Sequence, residues 1–123
     1  MSTLAVALTG NPNTGKSTIF NALTGARQKI GNWPGVTVDK KIGHTHYKGR
    51  AISIVDLPGT YSINARSPEE KIVIDYLTNT KLDLVLNVVD SSNIERNLFL
   101  TVQLLEKGIP LLIDLNMQDD AQR

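Results

Sequence analysis

Residues 10 to 17 of the chain read Gly10-Asn11-Pro12-Asn13-Thr14-Gly15-Lys16-Ser17. This run matches the pattern G-x-x-x-x-G-K-[ST] of the phosphate-binding loop at every position. The apolar run Leu4 to Leu8 precedes it and predicts a buried strand, and residues 16–23 after it predict a helix. A strand, a glycine-rich loop and a helix N-terminus in this order direct backbone N–H groups and the positive end of the helix dipole at one anion.

The loop therefore predicts a nucleoside-triphosphate site. We expect Lys16 to reach the β- and γ-phosphates as a point charge and the Ser17 hydroxyl to bind Mg²⁺. Gly10 and Gly15 are expected to supply backbone conformations that residues with side chains resist. The predicted phosphate-binding set is Gly10, Asn11, Pro12, Asn13, Thr14, Gly15, Lys16, Ser17 and Thr18.

Composition limits the other possibilities. The chain has 123 residues, 13 lysines and arginines, 12 acidic residues and no cysteine. The balanced charge gives no reason to expect a nucleic-acid partner, and the lack of cysteine excludes disulfides and thiolate metal sites. Neither a signal peptide nor an apolar run of membrane-spanning length is visible, so the sequence predicts a soluble, cytoplasmic chain.

The first half of the chain predicts an edge hairpin. Residues 27–37 are expected to form a functional loop, because they are polar and rich in turn residues. Residues 38–47 and 51–55 are expected to be strands joined by a turn at Lys48-Gly49. This hairpin predicts one antiparallel edge strand on an otherwise parallel sheet.

The second half alternates helices and strands. A helix with Ser67 as N-cap and Pro68 at its first position is expected to run to about Thr78. Residues 82–89 and 109–115 predict buried strands. The helix between them, residues 93–107, carries one apolar stripe of Leu98, Val102 and Leu105. The whole pattern predicts an α/β fold with three layers.

Further motifs fall at the carboxyl ends of the predicted strands, the side on which open α/β sheets bind ligands. The segment Gly35-Val36-Thr37 ends the first long loop, where a hydroxyl and backbone groups can approach Mg²⁺ and the γ-phosphate. Asp56 can hold Mg²⁺ directly or through water, and the Gly59 N–H can meet the γ-phosphate. Asn116 and Asp119 end the last strand, where a carboxylate can accept two N–H groups from guanine.

Each of these motifs has an ordinary interpretation when it is taken alone. A threonine before a strand is common, D-x-x-G is a frequent turn pattern, and N-x-x-D can simply be a polar segment that follows a strand. Their order and spacing behind the phosphate loop carry the information. Together they are the ordered motifs of the GTPase superfamily.

Several segments resemble the family of ferrous iron transport protein B (FeoB). They are GNPNTGKSTIFN from Gly10, GNWPGVTVDKK from Gly31, DLPGTYS from Asp56, NVVDSSNIERNLFLTVQLLEKGIP from Asn87 and NMQD from Asn116. The resemblance implies a P-loop GTPase (Ras-like) domain that converts GTP to GDP and phosphate. It also implies helical regulatory and membrane domains in the same protein, with this domain on the cytoplasmic side of the inner membrane, where it regulates or drives Fe²⁺ transport.

The resemblance assigns further roles. Asn13 matches the asparagine that helps hold K⁺ beside the nucleotide in potassium-stimulated members, although a turn residue with an unusual backbone angle is the alternative. Carbonyls of Asn32 and Trp33 are expected to complete that cation site, or Trp33 anchors the loop by its ring. Asn13, Lys16, Thr37 and Gly59 form the predicted catalytic set.

Two departures from other GTPases matter. No glutamine follows Gly59, where the sequence reads Thr60-Tyr61, so slow intrinsic hydrolysis is expected. Met117 stands where many GTPases carry lysine, which matches the family, and its thioether can still cover the guanine base. The motif that should back guanine O6 is absent, so residues 1–123 are expected to be a fragment of a GTP-binding domain, with an uncovered sheet edge and weakened guanine affinity.

Other interpretations stay open. His44 and His46 alternate on one face of a predicted strand and suit a metal, but no third ligand is near, which favours solvated residues. A soluble GTPase of the ribosome-assembly or tRNA-modification type also carries the loop asparagine. A nucleotide-dependent interaction switch with little catalysis is the third possibility.

Overall fold

Six strands and three α-helices alternate along residues 3–116, the part of the chain that the computed structural model describes. A short 3₁₀ turn, Ser91–Asn93, precedes the third helix. In chain order the elements are β1 (Leu4–Gly10), α1 (Lys16–Thr24), β2 (Gln28–Asn32), β3 (Asp39–Tyr47), β4 (Arg50–Asp56), α2 (Pro68–Asn79), β5 (Leu84–Asp90), α3 (Ile94–Glu106) and β6 (Leu111–Asn116).

The strands form one sheet in the order β2-β3-β4-β1-β5-β6. Strands β4, β1, β5 and β6 are parallel to one another, and β3 is antiparallel to both of its neighbours. Because the carboxyl ends of the parallel strands share one edge of the sheet, Gly10 pairs with Val88 and Asp90 pairs with Asn116 at that edge. This sheet, mostly parallel with an antiparallel edge, confirms the predicted α/β fold.

Apolar side chains pack on both faces of the sheet, which gives the three layers. On one face Leu8 and Ile54 contact Phe20 of α1. On the other face lies a larger cluster whose members come from the sheet, from α2 and α3 and from the loops beside them: Ala7, Trp33, Val55, Leu57, Ile63, Val73, Val85, Leu100 and Leu104. Adjacent residues such as Ala7 and Leu8 point to opposite faces, as the two-residue period of a strand requires.

Strand β2 corrects the prediction of a continuous loop over residues 27–37. Gln28 to Asn32 form five ladder pairs with β3, so the irregular segment is confined to residues 33–38. The strand has no apolar alternation because most of its residues are exposed, and it is held by backbone pairing. The hairpin after it was predicted correctly: Lys48 and Gly49 both have positive φ, 51° and 78°, as a type I′ turn requires.

The caps of α1 and α2 agree with the sequence pattern. Gly25 ends α1 with a φ of 58°, and its N–H donates to the Asn21 carbonyl. The Ser67 hydroxyl accepts from the Glu70 N–H at 3.1 Å, and Pro68 occupies the first turn of α2. Ser67 therefore satisfies one of the N–H groups that a helix start leaves without an intrahelical partner.

Helix α3 buries a different face from its apolar stripe. Leu98, Val102 and Leu105 are 42%, 49% and 53% exposed, whereas the buried residues of the helix are Asn97, Leu100, Thr101 and Leu104. The two polar members of this face are satisfied inside the protein. Thr101 Oγ1 accepts from Asn87 Nδ2 at 2.5 Å, and Asn97 Oδ1 accepts from the Asp90 N–H at 3.0 Å. Hydrogen bonds to β5 thus orient the helix.

Strand β6 forms the other edge of the described sheet. Its Leu112, Ile113 and Leu115 are 55%, 42% and 60% exposed. Across residues 3–116, every helix is too short or too polar to cross a membrane.

Candidate phosphate-binding site

The loop between β1 and α1 encloses one side of an open cavity of about 440 Å³. The lining residues come from this loop, from the first turn of α1 and from the segment after β4: Asn11, Pro12, Asn13, Thr14, Gly15, Lys16, Ser17 and Gly59. Of the two remaining predicted residues, Gly10 ends β1 before the loop, and Thr18 follows Ser17 on the exposed surface of α1. Seven of the nine residues predicted to bind phosphate thus line one cavity.

Two residues of the loop adopt left-handed backbone conformations. Gly15 has a φ of 88° immediately before α1, and Asn13 has a φ of 65°. The conformation of Gly15 agrees with the expectation that glycine is needed there. The positive φ of Asn13 is the unusual backbone angle that was expected if Asn13 is a turn residue. Asn13 also lines the cavity.

Gly10 is required for a different reason from the one predicted. Its φ is not positive. A Cβ on Gly10 would instead lie 2.7 Å from the carbonyl oxygen of Val88 and 3.1 Å from Thr14 Oγ1. The residue therefore allows a close approach of β5 to the start of the loop, which residue type alone does not reveal.

Lys16 and Asp56 meet in this site. The Lys16 ammonium pairs with the Asp56 carboxylate, and the two residues are 9% and 7% exposed. Parallel pairing of β1 with β4 sets Asp56 opposite Leu8, just before the loop begins. The carboxylate predicted for Mg²⁺ therefore contacts the cation predicted for phosphate.

The segment after β4 packs directly against the phosphate loop. The Thr60 N–H donates to the Gly10 carbonyl at 3.0 Å. A Cβ on Gly59 would lie 3.0 Å from Pro12 Cα, so a larger residue would push the segment away from the loop. Thr60 itself is only 4% exposed, which leaves its side chain little room for extension.

The segment before β3 is fixed by its tryptophan. Trp33 is 7% exposed and contacts the Tyr76 ring edge-on, with 5.5 Å between ring centroids. Its N–H donates to the Val38 carbonyl and its own carbonyl accepts from the Val36 N–H. The ring thus anchors this segment, which is one of the two roles considered for Trp33 in the sequence. Burial raises the pKa of the Tyr76 hydroxyl.

The other predicted residues of this segment are less enclosed. Gly35 is exposed with a φ of 77°, Val36 packs partly against the core, and Asn32 pairs with Asp39 in the sheet. Thr37 is exposed and is not among the residues that line the cavity. The roles of Thr37 and of the Asn32 and Trp33 carbonyls stay predictions.

Asn116 joins the end of β6 to the phosphate loop. Its Nδ2 donates to the Thr14 carbonyl at 2.7 Å, across 102 residues of sequence. The structure therefore brings the first residue of N-x-x-D to the phosphate loop, and the guanine contact expected of this motif stays a prediction. Met117 and Asp119 lie outside the described residues.

Sequence reasoning missed Arg96, whose carbonyl accepts from Asn11 Nδ2 at 3.1 Å. Arg96 is an exposed arginine on a helix, and no motif in the neighbouring sequence marks it as part of a site. His44 and His46 are both exposed, and His46 Nδ1 lies 3.3 Å from Arg27 Nη1. Residues 3–116 contain no group of three or more histidine, aspartate or glutamate side chains arranged to hold a metal.

Comparison with known proteins identifies the family. The model that describes ferrous iron transport protein B matches residues 4–123. The chain belongs to this family. It is 51% identical to the Fe(2+) transporter FeoB of Shigella flexneri over 127 aligned residues and 50% identical to that of Escherichia coli K12. Both alignments cover all of this chain and 16% of the relative, so the chain spans a small part of the family's curated members.

Solved structures of the family share the fold. The G domain of the T. maritima FeoB iron transporter is 47% identical with a TM-score of 0.90, covering 98% of this chain and 76% of that one. The cytosolic domain of L. pneumophila FeoB is 48% identical with a TM-score of 0.88, covering 96% and 47%. A GDP-bound mutant of the S. thermophilus FeoB G domain is 53% identical with a TM-score of 0.87, covering 97% and 46%. These findings confirm the resemblance that the motifs indicated.

Proposed function

We propose that this chain is the GTP-binding and GTP-hydrolysing domain of a ferrous iron transporter. The observation that carries the proposal is the cavity of the phosphate loop, whose Lys16 pairs with Asp56 and whose Thr14 carbonyl accepts a hydrogen bond from Asn116. The GDP-bound relative and the Fe(2+) transporters that match the chain support guanine nucleotide as ligand and iron transport as the purpose.

The phosphate loop is proposed to bind the nucleotide phosphates through its backbone N–H groups. Gly15 turns the chain into α1, so the N-terminus of that helix faces the cavity side of the loop. Lys16 would exchange its contact with Asp56 for the β- and γ-phosphates. Thr14 Oγ1 is buried without a partner in the described residues, which leaves hydrogen-bonding capacity in the loop.

The donor set fits Mg²⁺, because hydroxyl and carboxylate oxygens are the ligands that this cation prefers. Ser17 lines the cavity and Asp56 contacts Lys16, which also lines it, so Ser17 and Asp56 would hold the ion. Thr37 would join them through a movement of its exposed segment. Bound Mg²⁺ would offset the charge that builds up on the phosphate oxygens.

Hydrolysis is proposed to be slow and stimulated by K⁺. Thr60 occupies the position after Gly59, and it is shorter than glutamine and only 4% exposed, so its hydroxyl is not presented to water in the cavity. The Gly59 N–H is left to meet the γ-phosphate. Asn13 lines the cavity and would help hold K⁺, which would supply positive charge beside the phosphates.

The guanine half of the site is proposed to use Asn116, Met117 and Asp119. Asn116 would hold the base-binding segment at a fixed position relative to the phosphate loop through its hydrogen bond to the Thr14 carbonyl. Asp119 would accept the two N–H groups of guanine, which adenine does not offer. Because the chain covers 76% of the T. maritima G domain and 16% of the Shigella transporter, we propose that it is a part of a G domain on the cytoplasmic side of the inner membrane, joined in the full protein to helical regulatory and membrane domains.

The test is a titration with fluorescent GDP and fluorescent ADP, in K⁺ and in Na⁺ buffer, followed by GTP turnover with and without Mg²⁺. We expect preference for GDP, loss of binding in Lys16→Ala and K⁺-dependent turnover that Asn13→Ala removes. Lys71→Ala, at an exposed position of α2, is the charge-matched control. Absence of nucleotide binding by a chain that melts cooperatively would overturn the proposal.

A further inference from the structure

Arg96 contacts two separate parts of the site from the start of α3. Its carbonyl accepts from Asn11 Nδ2, in the phosphate loop, at 3.1 Å. Its guanidinium lies over the Tyr61 ring, 4.3 Å from the centroid, and Nη2 donates to Tyr61 Oη at 2.5 Å. One residue thus links the phosphate loop with the segment that follows Gly59.

The segment that Tyr61 belongs to forms a wall of the phosphate cavity. Gly59 lines that cavity against Pro12, and the neighbouring Thr60 N–H donates to the Gly10 carbonyl at 3.0 Å. Tyr61 comes directly after these contacts. Only Thr60 separates Tyr61 from Gly59, so the contacts of the Tyr61 ring act on the same short segment that carries the Gly59 N–H.

Gln103 provides a second contact on the same side of α3. Gln103 follows Arg96 by seven residues, which is about two helical turns, so both side chains project from one face. Gln103 Oε1 accepts from the Ile63 N–H at 2.9 Å, and Gln103 Nε2 donates to Asn64 Oδ1 at 2.9 Å. Residues 60–64 are therefore docked along α3 at two points.

The helix that carries these contacts is itself held firmly. Its buried Thr101 accepts from Asn87 of β5 at 2.5 Å, and Thr9 of β1 donates to the same Asn87 side chain at 3.1 Å. This chain of hydrogen bonds connects α3 to the strand that leads into the phosphate loop. Arg96 therefore lies on a helix that is hydrogen-bonded to the sheet, whereas Tyr61 is 41% exposed and contacts Arg96 through both its ring and its hydroxyl.

We infer that Arg96 is a positioning residue for GTP hydrolysis. Its side chain holds Tyr61, and through Tyr61 it keeps the Gly59 N–H beside the phosphate loop, where the γ-phosphate would meet it. The inference rests on the proposed GTPase function. With no glutamine after Gly59, the backbone position of Gly59 carries more of the catalysis, because small displacements of a positioned group lower rates steeply.

The experiment compares Arg96→Ala, Arg96→Lys and Tyr61→Phe with the unmodified chain, using Lys81→Ala, at an exposed position between α2 and β5, as a charge-matched control. Arg96→Ala keeps the carbonyl that binds Asn11, so GDP affinity should change little. We expect kcat for GTP to fall about tenfold or more with a smaller change in KM. Tyr61→Phe keeps the stacked ring and loses the hydroxyl bond, so its kcat should fall less, and Arg96→Lys should recover part of the loss.

Hydrogen exchange without nucleotide supplies a readout that does not depend on activity. Amides of residues 60–64 should exchange faster in Arg96→Ala than in Lys81→Ala, while amides of α1 stay unchanged. Wild-type kcat and exchange in both Arg96→Ala and Tyr61→Phe would overturn the inference. If the unmodified chain itself failed to hydrolyse GTP, the proposed function would fail, and the inference with it; these two failures are distinguished by the wild-type rate.

Discussion

Lys16, which lines the phosphate cavity, forms an ion pair with Asp56 although 40 residues separate them in sequence. The pair joins the first residue of α1 to the last residue of β4, and both side chains are largely buried. A buried charge without its partner is costly, so the two groups depend on each other until a ligand replaces the contact. The pair therefore links the stability of the fold to the chemistry of the site.

Removing one member of the pair should destabilise the chain. Asp56→Ala leaves the Lys16 ammonium buried without a carboxylate, and such losses cost about 3–5 kcal/mol. Lys16→Met together with Asp56→Ala should cost less than the sum of the two single changes, because neither charge is then stranded. Urea unfolding of the four proteins measures this coupling, and additive costs would contradict it.

Gly10 provides a steric test of the site. Gly10→Ala places a Cβ 2.7 Å from the Val88 carbonyl, so the loop or β5 must shift, at a cost of about 1–3 kcal/mol and with weaker nucleotide binding. Gly31→Ala is the matched control, because nothing lies within 4 Å of its Cβ and its φ is not positive. Thermal melts and GDP titrations of both variants measure the difference. Equal stability of the two variants would show that the close approach to Val88 is not limiting.

The sequence predicted the parts of this structure that local patterns encode. The phosphate loop, the Ser67 cap and the turn at Lys48-Gly49 each depend on residues within a few positions of one another, and each was predicted correctly. Asp56 could be connected to the loop because an aspartate at the end of a parallel strand must lie at the ligand edge of the sheet. That inference needs only topology.

Features that depend on distant partners were missed. Gln28 to Asn32 became a strand because β3 offers a pairing edge, and their own pattern carries no such signal. The buried face of α3 was misjudged because Asn97 and Thr101 are satisfied by β5, which lets polar residues take positions that apolar ones would be expected to fill. Arg96 was missed because its partners, Asn11 and Tyr61, are far away in sequence.

Trp33 is expected to dominate the stability of the segment before β3. Trp33→Ala removes a buried ring that packs on Tyr76 and under the Lys40 ammonium, at a cost of about 3–5 kcal/mol. Trp33→Phe should cost less, since it keeps much of the ring and removes an indole Nε1 that is buried without a hydrogen-bond partner among the described residues. Urea unfolding ranks the variants, and a phenylalanine variant as unstable as the alanine one would show that the indole is needed as a whole.

Glu70 gives the chain a pH-dependent contact between α2 and the segment before it. A hydrogen bond from Ser62 to Glu70 Oε2 lowers the pKa of Glu70 below 4.5, and a bond from the Arg66 N–H and the Arg66 charge act in the same direction. A carboxyl whose pKa is lower in the folded state stabilises the fold above its unfolded pKa. This stabilisation is lost as the pH falls through the folded pKa.

The free energy of unfolding should therefore fall between about pH 5 and about pH 3 more steeply in the unmodified chain than in Glu70→Gln. Ser62→Ala, which removes the strongest of these hydrogen bonds, should flatten the same part of the curve. Glu106→Gln removes the same charge from the exposed end of α3 and tests whether the loss of charge alone has this effect. Urea unfolding at a series of pH values makes the comparison. Parallel curves for the unmodified chain and Glu70→Gln would mean that Glu70 protonation does not couple to folding, and the contact would then be structural without being a pH sensor.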